Sequence, residues 1–595
     1  MRHEIIKCYD FVFKQVYNSG KLYFFISFFF VISSGILPIV SSFVFKQIID
    51  TIGNMFRIET IRDSHSAIVL IIIYIGIIIF QDIILMSKNA IYRVCSISFI
   101  FNIQSLLVKK ISKIHYEKLY SPQFQDDYAN VLTNSQYEPL QVITSLFTVI
   151  SLIIQFVISA TILCNFNFII FISIILCLIP NMISKLALED NYVSLWENQI
   201  QNYRKMNYFF DISTSKTFLK EIRLYNLKNY FSKKREKHYL NIIKIWDKFS
   251  KNEFFKTMLT QFIAYIGICG AIIWLLSEIL HKKLVISDFI FYWGVIFSLQ
   301  NLCLNLVGNV SSNYKSMLFV KKIIDFINLK EEMCFGTKLL LKQTHHTFKF
   351  ENVFFKYEGS NRTALKNINL EISTGEKICI VGRNGCGKTT LINLLLRNLL
   401  PSSGKILLDG VDINNYSNEE YSSLFSCVYQ DWQKYAVTLR DYIAFGDLKN
   451  INNMQRIELA AKKAVASEFI TKLKGKYESI LTRMFDIEGE ELSVGQWQKL
   501  VIARAFFSNS NVLIFDEPTS AIDSLSELEI YENINNLPAD KMVLLISHRM
   551  YAPKKADKVI FIDSGSIVDV GTHKDLIKRC RGYVELFNAQ AKGYK

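Results

Sequence analysis

Residues 376–396 read EKICIVGRNGCGKTTLINLLL, and the reading of this stretch decides the fold of the second half of the chain. The apolar run Ile378–Val381 predicts a buried strand, and the amphipathic run after Thr389 predicts a helix. Between them Gly382 to Thr389 spell G-x-x-x-x-G-K-T. Glycines at these positions let backbone N–H groups turn inward around phosphates, and the following helix aims its N-terminus at the same place. Lys388 supplies a positive charge to the outer phosphates, and the Thr389 hydroxyl is a candidate ligand for Mg²⁺. Gly382, Arg383, Asn384, Gly385, Cys386, Gly387, Lys388, Thr389 and Thr390 are therefore the candidate nucleotide-binding residues.

A second strand pattern, NVLIFDEPTSAID (511–523), supplies the complement. Its apolar run ends in Asp516, placed to hold Mg²⁺, and Glu517, placed to polarise an attacking water. Further on, VLLISHR (543–549) puts His548 at the end of another strand, within reach of a terminal phosphate. These strand–loop–helix alternations define an α/β P-loop domain over 347–595, opened by HTFKFENVFFKY (346–357).

The first half has a different composition. Half of the 595 residues are hydrophobic, and the long apolar runs all lie in the first 310. A membrane-crossing helix needs ~20 mostly apolar residues. Six stretches qualify, at about 22–45, 66–86, 139–163, 167–185, 256–277 and 287–310. We therefore expect an α-helical six-span membrane domain over 1–320, a linker over 321–346, and the P-loop domain beyond. The net charge of +15 is concentrated in 87–136 and 184–253, between apolar runs. Cytoplasmic loops collect lysine and arginine in this way. That placement puts both termini and the P-loop domain in the cytoplasm, and no basic stripe with interleaved aromatics points to nucleic acid. The eleven cysteines include no CxxC pair and read as reduced thiols used as small hydrophobes.

Both charged connections read as helical, so the membrane helices are expected to continue into the cytoplasm and turn there. YSPQFQDDYANVL (120–132) and FFDISTSKTFLKEIRLYNL (209–227) lie near the turns and are expected to form docking surfaces for the P-loop domain. In the sixth span Ser298, Asn301, Asn305 and Asn309 share one helix face. Interhelical hydrogen bonding and a substrate-lining role both fit that stripe. Lys46 and Asp50 read as interfacial residues at the end of the first span.

Together these elements resemble the ATP-binding cassette transporters, specifically exporter half-transporters with six spans fused to one cassette. The resemblance implies ATP as the nucleotide. It implies that Tyr357 stacks on adenine, that Gln430 in VYQD senses Mg²⁺, that Glu517 is the catalytic base, and that His548 is the switch histidine. ELSVGQWQKL (491–500) resembles the family's signature LSGGQ, with Val494 in place of a glycine and Ser493, Gly495 and Gln496 kept. SAID (520–523), with Asp523, is similar to the loop that crosses the cassette dimer interface, and DIEGEE (486–491) loosely resembles the loop that senses the coupling segments. The family pairs two cassettes head to tail, so a second half-transporter is implied as partner, self-pairing being the simplest arrangement. Val494 adds two methyls at that interface, and slower hydrolysis is the expected consequence.

QDWQKYAVTLRDYIAFGD (430–447), GQWQKLVIARAFF (495–507) and KEIRLYNLKNYF (220–231) resemble exporters of ribosomally made peptides, the lantibiotic and bacteriocin exporters. About 21 residues precede the first span, so a leader-cleaving peptidase domain is not expected ahead of it, and another protein is expected to remove any leader. The expected substrate is a peptide or other amphipathic molecule carried across a lipid membrane. A lipid flippase or multidrug exporter, and more remotely a low-turnover ATP sensor, are the alternatives that share this scaffold.

Overall fold

The computed structural model describes residues 2–58, 61–135, 137–281, 284–329, 335–340, 345–547, 549 and 551–592. They fall into two compact units. One comprises Met1–Ser112 with Pro122–Lys330, and the other Lys113–Ser121 with Glu331–Lys595.

The first unit is entirely helical. Its helices are α1 (Arg2–Ser19), α2 (Lys21–Ile58), α3 (Ile61–Ile111), α4 (Pro122–Asn134), α5 (Glu138–Phe166), α6 (Phe168–Thr214), α7 (Lys216–Leu224), α8 (Lys228–Leu280) and α9 (Ile286–Ile327). Six of them, α2, α3, α5, α6, α8 and α9, are long and apolar enough to cross a membrane. At 1.5 Å per residue, the 53 residues of α8 run about 80 Å, far beyond a hydrocarbon core of ~30 Å. The length comes from uninterrupted helix formers with glycine and proline almost absent from the charged connections. α5 and α6 meet at a single residue, Asn167, whose side chain accepts hydrogen bonds from the amides of Ile169 and Ile170 and so caps α6.

Three details differ from the sequence expectation. Lys46 and Asp50 tie α2 to α9: Lys46 Nζ lies 2.7 Å from Asp288 Oδ1, and Asp50 accepts a hydrogen bond from Ser287. The Pro-initiated helix α4 turns its aromatic residues inward, where Phe124 is buried and packs at a tilt against Phe326 of α9, ring centroids 5.5 Å apart. That face is consumed by packing within the first unit. The segment grouped with the second unit is Lys113–Ser121, which overlaps the stretch 120–132 at Tyr120 and Ser121, and within that unit Lys118 Nζ lies 3.1 Å from Glu358. Finally α9 continues to Ile327, so the start of the 321–346 segment is helical. The stripe Ser298, Asn301 and Asn305 is exposed on α9, while Leu299, Leu302 and Cys303 are buried on its other side.

The second unit is built on two sheets. The strands are β1 (Thr347–Lys356), β2 (Thr363–Ser373), β3 (Lys377–Gly382), β4 (Ser403–Leu408), β5 (Val411–Asp412), β6 (Phe425–Val428), β7 (Val512–Asp516), β8 (Met542–Ile546), β9 (Lys558–Asp563) and β10 (Ser566–Gly571). An antiparallel sheet has the order β2-β1-β4-β5, and a six-stranded sheet the order β10-β9-β3-β8-β7-β6. β3 pairs in parallel with both β8 and β9, and β7 with β8 and β6. β3 and β7 are buried along nearly their whole length, as strands covered on both faces must be, hence their continuous apolar runs. Their carboxyl ends lie on one edge of this sheet, with β8 between them, and that edge carries the site.

Candidate functional site

The loop leaving β3 is shaped by lack of room. Gly387 has φ +109° and caps the helix Lys388–Leu395, and a Cβ there would lie 2.6 Å from Leu365 Cδ2. Only glycine meets both conditions. Lys388 is buried, and its Nζ donates to the carbonyls of Gly382 at 3.0 Å and Arg383 at 3.1 Å. The ammonium is thus folded back onto its own loop, held by neutral acceptors that an anion readily replaces. Cys386 is buried under the loop, while Asn384, Gly385 and Thr389 face a cavity of about 460 Å³. Tyr357, Thr390, Gln430 and Glu517 line the same cavity. The Tyr357 ring is partly exposed at its rim, with its hydroxyl 3.0 Å from Thr390 Oγ1. Ser360 and Arg362 also line it, and nothing in the local sequence pattern marked them.

β7 delivers the acids. Asp516 is buried and accepts a hydrogen bond from Thr389 Oγ1 at 3.1 Å. Burial pushes its carboxyl up to about 6, against the pull of the Thr389 hydrogen bond. A buried carboxylate beside a hydroxyl, with Gln430 and Glu517 nearby, is a hard oxygen donor set of the kind that fits Mg²⁺. Glu517 follows in the left-handed region at φ +49°, its amide donating to Ile546 O of β8 at 3.0 Å. That conformation costs a non-glycine residue of order 1 kcal/mol and turns the side chain out of the strand toward the cavity. There Gln430 Nε2 donates to Glu517 Oε2 at 3.1 Å. His548 lies outside the described residues.

The signature stretch begins the helix Val494–Phe507. Ser493 is its N-cap in a capping box: Ser493 Oγ accepts from the Gln496 amide, and Gln496 Oε1 accepts from the Ser493 amide at 2.8 Å. Val494 is exposed. Gly495 is the tight position, since a Cβ there would lie 2.7 Å from Ala521 O. Asp523 caps the helix Ser524–Asn535, accepting from the Ser526 amide at 2.9 Å, a bond that holds its carboxyl below the usual range. Gln498, which the sequence reading passed over, joins these parts. It is buried, donates to Ser520 Oγ at 3.1 Å and accepts from the Ala521 amide at 2.9 Å. Trp497 beside it is fully buried, packed on Trp432 and Tyr442 at 6.1 and 5.2 Å.

A phosphate loop, a buried acid at a strand end and a second acid turned into one cavity define a membrane-associated P-loop nucleotide-binding protein. Residues 365–520 match the ABC transporter domain family. Over 567 residues, 94% of this chain and 90% of the relative, the sequence is 30% identical to the subtilin transport ATP-binding protein SpaT of Bacillus subtilis. It is 26% identical to the nisin transport ATP-binding protein NisT of Lactococcus lactis, over 93% of this chain and 91% of that one. An ATP-dependent lipid A-core flippase of Haemophilus ducreyi matches at 33% identity over 56% of each chain. The fold is that of a bacterial Atm1-family ABC exporter, with TM-score 0.82 and 19% identity over 95% of this chain and 98% of that structure. The chain belongs to the ABC transporter family. It is a membrane half-transporter of the exporter type, binds ATP, and is an ATPase coupled to transport; such half-transporters typically work as dimers.

Proposed function

We propose that two copies of this chain form an ATP-driven exporter of a ribosomally made, lantibiotic-like peptide. Residues 1–320 form the membrane domain and 347–595 the cassette, joined through 321–346. Both termini and the cassette lie on the cytoplasmic side of the plasma membrane. The observation that carries the substrate class is end-to-end similarity to the two lantibiotic transport proteins, against a match over 56% of the chain for the flippase.

In this reading Tyr357 stacks on the adenine of ATP, and the loop 382–390 with Lys388 binds its phosphates. Thr389, Asp516 and Gln430 would hold Mg²⁺, which neutralises charge developing on the phosphates. Glu517 orients and deprotonates the attacking water, with Gln430 positioning its carboxylate, and His548 contacts the terminal phosphate. Ser493, Gly495 and Gln496 of one copy close on the phosphate loop of the other, with Val494 and Asp523 at the same interface. ATP favours the closed dimer because only that state offers both halves of the site, and hydrolysis removes the preference.

The test is ATP-dependent uptake of a labelled precursor peptide into inverted proteoliposomes, with ATPase activity measured beside it. Peptide accumulation together with peptide-stimulated turnover is expected. ATP-driven lipid translocation, with no response to any precursor peptide, would overturn the reading.

A further inference from the structure

The first unit holds a cavity of about 320 Å³ walled by α1, α2, α3 and α5. Most of its wall is apolar: Val16, Leu140, Ile143 and Phe147. Lys88 of α3 opens onto it, half-buried, and among the described residues it has no hydrogen-bond or ion-pair partner. Lys88 follows the second apolar span directly, and a lysine at a span end normally pairs with an acid or reaches the interface. Here the groups beside it are neutral: Asn89, Gln141, and a Tyr92 that is hydrogen-bonded to Thr144. An uncompensated cation facing an apolar chamber lacks one thing, an anion carrying its own apolar part.

The volume limits the occupant. A space of this size sits at the lower end of small-molecule sites, and it holds a charged head with the first carbons of a chain rather than a peptide of many residues. On α2, next to the cavity-lining Ser27, the side chains of Phe25, Phe28 and Phe29 are exposed, an apolar surface along which acyl chains can lie. We propose that this cavity is a binding site for the phosphate headgroup of an anionic membrane phospholipid, which ion-pairs with Lys88 while its acyl chains remain outside against α2. The inference is independent of which substrate is exported.

The full-length transporter, delipidated in detergent, would be offered phosphatidylglycerol or phosphatidylcholine, and retained lipid counted by native mass spectrometry. Wild type retains phosphatidylglycerol preferentially; Lys88→Gln lowers that preference about fivefold, as expected for one basic side chain at an anionic headgroup, and Lys88→Arg preserves it. Equal retention by wild type and Lys88→Gln would overturn the proposal. A second measurement needs no variant. Cys95 lines the cavity and Cys269 is exposed elsewhere on the helices. Maleimide labelling of Cys95 should slow with phosphatidylglycerol relative to phosphatidylcholine, with Cys269 labelling alike in both. Protection of Cys95 by glycerol phosphate alone would assign the site to a free anion, and protection by precursor peptide but not lipid would assign it to substrate. Either result overturns the lipid site.

Discussion

A Cβ placed on Gly495 would lie 2.7 Å from the carbonyl oxygen of Ala521, whereas Val494, one residue earlier, is 56% exposed. The two glycine positions of the signature are therefore unequal within a single chain. Gly495→Ala forces the helix Val494–Phe507 away from the loop Ser520–Asp523, breaking the Gln498 hydrogen bonds to both Ser520 and Ala521. We expect overpacking to cost about 1–3 kcal/mol and ATPase activity to fall at least tenfold. Val494→Gly should change stability by no more than ~1 kcal/mol. Thermal unfolding and phosphate release of the two variants, measured side by side, check this; equal losses would refute it.

His573 gives a pH prediction. Burial, reinforced by the nearby Lys554 charge, holds its imidazole below the usual histidine range, and Nδ1 lies 2.7 Å from the Tyr583 hydroxyl. The unfolded chain therefore takes up this proton at higher pH than the folded one. Stability is full above the ordinary histidine value of about 6.5 and declines as pH falls below it. Protection factors in the helix Arg581–Lys592, exchange rates corrected for the intrinsic pH dependence, should fall between pH 7 and pH 5.5, and His573→Gln should remove that part of the fall.

The candidate phosphate site was legible as one place in the fold because its information is contiguous: Gly382 to Thr389 form one loop, and Asp516 and Glu517 end one apolar strand. The six spans were legible because burial in lipid demands long apolar runs. What stayed hidden depends on residues distant in sequence. Nothing near Lys46 announces Asp288, and nothing in 120–132 announces that Phe326 takes up the aromatic face of α4. Gln498 was hidden for another reason, since a glutamine on a helix is ordinary until the loop it holds is seen beside it. Trp497 carried the peptide-exporter resemblance, yet it is enclosed in the cassette core, far from any role as a substrate contact on the surface.

That placement makes Trp497 testable. Its ring is fully buried against Trp432 and Tyr442, but Nε1 has no hydrogen-bond partner among the described residues. Trp497→Ala should destabilise the cassette by about 3–5 kcal/mol through the cavity it leaves. Trp497→Phe loses packing area but also removes a buried unsatisfied N–H, which costs ~1–3 kcal/mol. The phenylalanine variant should therefore unfold within about 1 kcal/mol of wild type and keep the same peptide selectivity. A change of selectivity at unchanged stability would show that the resemblance marks a substrate contact after all.

The last prediction concerns turnover. Glu517 is held at φ +49° by the hydrogen bond its backbone N–H donates to Ile546 O, and its carboxylate accepts a hydrogen bond from Gln430 Nε2 at 3.1 Å. The backbone geometry does not depend on the carboxylate, so Glu517→Gln should fold normally and, with the proposed Tyr357 and Lys388 contacts untouched, bind ATP as wild type does. Loss of a general base costs 10²–10⁴ in rate, so ATP should be retained and phosphate release reduced at least a hundredfold. Gln430→Ala leaves the base in place but frees its side chain, and a smaller loss, on the order of tenfold, is expected from the lost orientation. Nucleotide affinity and single-turnover phosphate release, measured on both variants, separate the two effects. Turnover by Glu517→Gln within about twofold of wild type, well short of the loss a missing base brings, would remove Glu517 from the chemistry and point to another base.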